Sequence, residues 1–214
     1  MTLLITVANS EGVHQSSDYR LSDAGRPVQT ENGAKQISAS GKDWVAQISF
    51  TGVARDGRGY DTREWLRDTL VAEHTDTTLD EVVAAIARRG NSALATVQSY
   101  DRRLSVVVGA VAGGRIRLFL LSNWESPTAA PAALPGPTLE VNEMGLGRPR
   151  LLVNGFASAL PAWARKRLLR LQTHVAASEP LRDAIARANR LAAANAVPNI
   201  SEECWVQSLM LTGH

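Results

Sequence analysis

Two amphipathic helical patterns stand side by side in the middle of the chain, TREWLRDTLVAEH (62–74) and TTLDEVVAAIARRG (77–90), and a second pair recurs late, LPAWARKRLLRLQTHVA (160–176) and SEPLRDAIARANRLAAANA (178–196). The sequence around them is strand-like. Helix pairs set between blocks of antiparallel strands predict layers, with sheets inside and helices outside. In the first pattern Trp65, Leu66, Thr69 and Leu70 share one face, with Asp61 and Thr62 as the N-cap. In the second, Thr77 or Thr78 caps the start, Asp80 and Glu81 fill the first turn, Arg88 and Arg89 the last, and Gly90 is expected to end the helix. The late pair carries Pro161 in a first turn, Ser178 as cap with Pro180 just inside, and Pro198 as stop. Trp65 and Trp163 are expected to pack on a sheet.

The strand blocks are equally legible. TLLITVA (2–8) is β-branched and aliphatic, NSEG supplies a turn, and a second extended run begins at Val13. KQISA and WVAQISF flank SGKD, and two β-rich runs in RLSVVVGAVAGGRIRLFLLSN meet at Gly113-Gly114, a hairpin signal. ESPTAAPAALPGPT reads as an irregular loop, RLLVNGF as a short strand and CWVQSLMLTG as a last one. The expected order is four strands, two helices, two or three strands, two helices and a strand, forming one domain over residues 1–214.

Composition narrows the function classes. Basic and acidic residues nearly balance, 23 against 21, so there is no concentrated basic field and no nucleic-acid partner is implied. The basic stretch ARKRLLRLQ is punctuated by Leu168, Leu169 and Leu171 and reads as a solvated helix face over a buried stripe. Cys204, the single cysteine, excludes an internal disulfide and is expected to pack in a core strand. His14, His74, His174 and His214 lack metal-ligand spacing, so no metal is expected, and the glycine-arginine stretches GLGRPR and GVARDGRGY lack phosphate-loop and dinucleotide signatures. No signal peptide or membrane span is recognisable, which places the expected location in the cytoplasm, with no membrane partner. No cofactor is implied.

The element order and the first quarter of the chain resemble the proteasome β-subunit family of N-terminal-nucleophile hydrolases, and in particular its bacterial proteasome-like members. The resemblance implies an α+β fold, a four-layer αββα sandwich. From Thr2 the spacing to Gly12, Asp18, Arg20 and Ser22 is similar to the family's strand-turn-strand pattern. Lys35 in AKQIS looks like the family's catalytic lysine displaced by one residue, and Gly52 in FTGVARD is similar to the glycine whose N–H meets the oxyanion. Ser201 stands where the family has the serine of a late Asp-x-x-Ser pair; the aspartate position holds Pro198, with Asn199 nearby. Beside the nucleophile, VNGFAS offers Gly155, Phe156 and Ser158 where relatives have a small Gly-Ser-Gly-like turn.

The chemistry explains this grouping. A threonine hydroxyl is nearly inert at neutral pH and needs a base; a free α-amine, with a pKa of about 7.7–8.0, supplies one. A lysine ammonium favours the neutral amine and the incipient alkoxide, and an aspartate holds the lysine in place. By resemblance, Thr2, Asp18, Lys35, Gly52 and Ser201 are the catalytic set, while Arg20, Ala34, Gly52 and Arg55 border the substrate. The implied function is a threonine-type amidohydrolase or peptidase acting on a peptide or protein once Met1 is removed. A homo-oligomeric ring is implied too; an ATP-dependent unfoldase partner is not identified. Two alternatives use the same chain: a catalytically silent scaffold or partner-binding subunit, suggested by Phe156, Pro198 and a retained Met1, and an acyl transferase using the same acyl-threonine.

Overall fold

A computed structural model describes residues 3–18, 21–23, 26–28, 35–56, 58–72, 76–98, 101–127, 131–132, 134–171, 178–196 and 200–211. Six strands come first: β1 (Leu3–Ala8), β2 (Gly12–Asp18), β3 (Leu21–Asp23), β4 (Arg26–Val28), β5 (Gln36–Ser40) and β6 (Trp44–Gly52). Helices α1 (Thr62–Ala72) and α2 (Leu79–Thr96) follow, then β7 (Leu104–Ala112), β8 (Arg115–Ser122), β9 (Glu140–Glu143) and β10 (Arg150–Gly155). A 3-10 turn, Ala157–Ala159, leads to α3 (Ala162–Leu171) and α4 (Ser178–Asn195), and β11 (Cys204–Met210) closes the described chain.

Two antiparallel sheets stack face to face, one ordered β10-β1-β2-β11 and the other β5-β6-β7-β8-β9, with β3 and β4 forming a small separate hairpin. The two-residue period of the strands distributes side chains among three apolar layers. Leu3, Ile5 and Val7 pack with Leu168, Leu181 and Ile185 beneath α3 and α4. Ile48, Phe50, Val106 and Val108 pack with Leu66, Val83 and Ile86 beneath α1 and α2. Leu4, Ala8, Val13, Val107, Leu118 and Leu120 fill the space between the sheets. This is the expected αββα arrangement. Strands buried on both faces read as continuous apolar runs, as LSVVVGAVA does.

The local signals act as physics requires. The side chain of Asn9 accepts the N–H groups of Glu11 and Gly12, at 2.9 and 3.0 Å, to close the β1–β2 turn. Gly113 and Gly114 have φ of 55° and 71°, the left-handed pair that a two-residue hairpin turn demands. Thr78 and Glu81 form a reciprocal capping box on α2, and the Asp61 carboxylate accepts the N–H groups of Arg63 and Glu64 at the start of α1.

Several expectations are corrected. Gly90 does not end α2, which continues to Thr96; it is a buried interior residue whose missing side chain leaves room for Leu139 and Trp65, since a Cβ there would lie 2.6 Å from Leu139 Cδ1. Tertiary contact, not chain termination, accounts for it. Trp163 is 56% exposed and Leu169 46%, so neither belongs to a buried stripe, whereas Leu168 does. Cys204 is half-buried on an edge strand, not in the core. The short β3–β4 hairpin and the polar edge strand β9, sequence EVNE, carry no apolar alternation that could announce them. Pro198 and Asn199 lie outside the described residues, as do His74, His174 and His214. No helix is long and apolar enough to cross a membrane among the described residues.

Candidate functional site

At one end of the sandwich the first strand of the chain meets the last residue of the second. The N–H of Leu3 donates to Oδ2 of Asp18 at 2.7 Å, and Lys35 Nζ donates to Oδ1 of the same carboxylate, also at 2.7 Å. Both side chains are fully buried. A buried ion pair is sustained only when its remaining valences are met. Asp18 meets this condition by accepting a backbone amide on one oxygen and an ammonium on the other. It ends β2 opposite Cys204 of β11. Lys35 immediately precedes β5, and its carbonyl accepts the Phe50 N–H at 3.1 Å, which fixes its backbone two residues from Gly52 on β6.

Gly52 has φ of 106°, and a Cβ there would come within 2.0 Å of the Arg103 carbonyl oxygen. It ends β6 opposite Leu104, while the next amide, Val53 N–H, donates to Arg103 O at 2.7 Å. Glycine is required here for both conformation and close approach.

The other sequence-derived residues divide. Thr2, Arg20 and Ala34 lie outside the described residues. Arg55 is half-exposed and pairs with Asp61 at 2.5 Å, holding the segment after Gly52 against the start of α1. The carbonyl of Ser201 accepts from Asn189 Nδ2 at 3.0 Å and its Oγ from the Glu203 N–H at 3.3 Å. These bonds tie Ser201 to α4 and to its own loop. Phe156 packs against the layer beneath α3 and α4.

One carboxylate escaped the sequence reading. Glu125, in the segment after β8, accepts from Ser105 Oγ at 2.5 Å, from Asn154 Nδ2 at 2.7 Å and from the Gly155 N–H at 3.0 Å. Ser105 also shares a 2.7 Å hydrogen bond with Ser122. Burial pushes the Glu125 carboxyl up, against the opposing effect of Ser105, Gly155 and Asn154. Its neighbours SNWES carry no motif, so only the tertiary structure reveals it. Beside it, Arg103 forms a two-point ion pair with Asp101 and lies 5.2 Å from the centre of the Trp124 ring.

His14 is a buried structural residue, its Nδ1 2.7 Å from Ser208 Oγ, with its pKa lowered to about 4 by burial and then by Arg182. No cluster of three or more His, Cys, Asp or Glu side chains with metal-binding geometry occurs among the described residues.

No family profile and no curated protein sequence matches the chain. Solved structures do. Anbu, an ancestral beta-subunit from Yersinia bercovieri, superposes with a TM-score of 0.65 at 14% identity, covering 97% of this chain and 82% of that one. HslV from Trypanosoma brucei gives 0.51 at 14% identity, over 97% and 99%. BPH of Thiobacillus denitrificans, in complex with epoxomicin, gives 0.53 at 17% identity over the whole of both chains. At these identities the likeness is one of fold, the layered αββα sandwich of the proteasome-like structures it matches.

Proposed function

We propose that the chain is a threonine-type amidohydrolase of the proteasome-like kind, cleaving peptide or protein substrates through Thr2 after loss of Met1. The observation that carries this reading is the double role of Asp18, which holds the Leu3 amide and the Lys35 ammonium together, both side chains of the ion pair being buried. Thr2 is joined to that amide by one peptide bond, and adjacent Cα atoms across a trans peptide are about 3.8 Å apart.

Thr2 Oγ attacks the substrate carbonyl as its proton passes to the neighbouring α-amine, with Lys35 favouring the neutral amine and the alkoxide. Charge develops on the carbonyl oxygen and is met by the Gly52 N–H; loss of such a donor in acyl-transfer sites costs roughly 2.7–4 kcal/mol. The amine then returns the proton to the leaving nitrogen as the C–N bond breaks, leaving an acyl ester on Thr2. Water, deprotonated by the same amine, attacks the ester; the C–O bond to Thr2 breaks, the amine returns the proton to Thr2 Oγ, and the acid is released. Arg20, Ala34, Gly52 and Arg55 border the bound polypeptide. The protein acts in the cytoplasm, as a homo-oligomeric ring.

Intact-mass measurement with a peptide β-lactone tests this. One adduct on a chain beginning at Thr2 is expected; the absence of both Met1 removal and adduct formation discards the reading. Epoxomicin, seen in complex with the Thiobacillus protein, is a second probe. A silent scaffold is the competing reading, favoured by the bulky Phe156, which packs against the layer beneath α3 and α4, and by Pro198 where a carboxylate would be expected. It predicts that Thr2→Ala leaves the cellular role intact.

A further inference from the structure

We propose that Glu125 is a positioning residue for the Thr2 site: its carboxylate ties the two sheets together and so fixes the gap between the strand following Thr2 and the strand ending at Gly52. The proposal rests on the reading of Thr2 as nucleophile.

The hydrogen bonds run to both sides of that gap. Gly155 and Asn154 belong to β10, and Gly155 stands directly opposite Leu3 on β1. Ser105 belongs to β7 and stands opposite Thr51, the residue before Gly52. One carboxylate therefore holds the neighbour of Leu3 on one sheet and the neighbour of Thr51 on the other, at 3.0 and 2.5 Å. Ser122 anchors the connection from which Glu125 projects, accepting the N–H groups of Trp124 and Glu125 at 3.2 and 2.8 Å. The tie is short and braced at its base.

A carboxylate suits the place because an acceptor-only group can take three donors at once. Glutamine can keep the tie. Its oxygen would accept the Gly155 N–H, its amide would donate to Ser105 Oγ, and the Asn154 carboxamide would turn its oxygen inward; that oxygen is buried without a hydrogen-bond partner. Alanine leaves the Gly155 N–H and the Asn154 amide unmet and removes the link to Ser105. Acyl transfer is sensitive to such a change, since a misplacement of about 1 Å can cost about 100-fold in rate.

The test measures acylation of Thr2 by a peptide β-lactone across a range of probe concentrations, separating the half-saturating concentration from the maximal rate. Glu125→Ala is expected to lower the maximal rate about tenfold or more with the half-saturating concentration kept within about twofold, and Glu125→Gln to return the rate to within about threefold of wild type. Thermal melting establishes that each variant is folded at the assay temperature. Should Glu125→Ala not fold, Ser105→Ala removes the link to β7, together with the Ser105–Ser122 hydrogen bond, while leaving the bonds to β10 in place, and is expected to slow the maximal rate several-fold. A folded Glu125→Ala or Ser105→Ala reacting at the wild-type maximal rate overturns the proposal while leaving Thr2 as nucleophile. So does a defect confined to half-saturation, or a Glu125→Gln variant as slow as the alanine. Wild-type protein that forms no adduct removes both readings together.

Discussion

Lys35 Nζ lies 2.7 Å from Asp18 Oδ1, with neither side chain reaching solvent. Removing either member strands the other charge in the interior, which costs about 3–5 kcal/mol. Lys35→Ala and Asp18→Ala should each lower unfolding free energy by that amount in urea titrations. The double variant should cost clearly less than the sum, because the second change removes the stranded charge. Either single change should abolish acylation of Thr2 in whatever fraction remains folded.

Gly52→Ala combines a left-handed backbone with a Cβ directed onto the Arg103 carbonyl. Strain of this kind and overpacking together cost about 2–6 kcal/mol. Circular-dichroism melts should show the loss, and acylation should fall with it, since relief of the clash moves the amide assigned to the oxyanion.

His14 makes the protein acid-sensitive. Its folded pKa, about 4, lies below the ordinary 6.5, so the folded state prefers the neutral ring. The associated stability is complete above about pH 6.5 and drains as pH falls toward 4, because the unfolded chain takes up the proton first. At about 1.36 kcal/mol per pH unit the interval corresponds to about 3 kcal/mol. The melting temperature of wild type should fall between pH 7 and 4.5, and His14→Gln should flatten that slope whatever its effect at neutral pH.

Gly90→Ala tests why a glycine sits inside α2. In an exposed helix interior the change stabilises by about 0.8–1 kcal/mol. Here the added methyl meets Leu139 Cδ1 at 2.6 Å and the Trp65 ring at 3.1 Å. The expected result is no rise in melting temperature; a gain of the usual size would mean that the contact gives way freely.

Much of this architecture is legible in local patterns. The β1–β2 hairpin, the Gly113-Gly114 turn and the capping box at Thr78 are all written in consecutive residues, and each is found where that writing puts it. Asp18 and Lys35, which the family resemblance groups, are in contact. What escapes is set by distant contacts. Gly90 reads as a helix stop until Leu139 and Trp65 are seen against it. β9 is an exposed edge without an apolar face, and Phe156, bulky where the resemblance expects a small turn, packs toward the helical layer. Glu125 acquires its meaning only from Ser105 and Gly155, which lie 20 and 30 residues away in the chain.

The strand order β10-β1-β2-β11 also sets a timetable for synthesis. The β1–β2 hairpin is made well before the two strands that flank it, so until they follow both its margins are bare and prone to wrong pairings. Asp18 gains its Cys204 neighbour, and Leu3 its Gly155 neighbour, only when the late strands have emerged. The buried Asp18–Lys35 pair therefore gains its flanking strands only after β10 and β11 have been made.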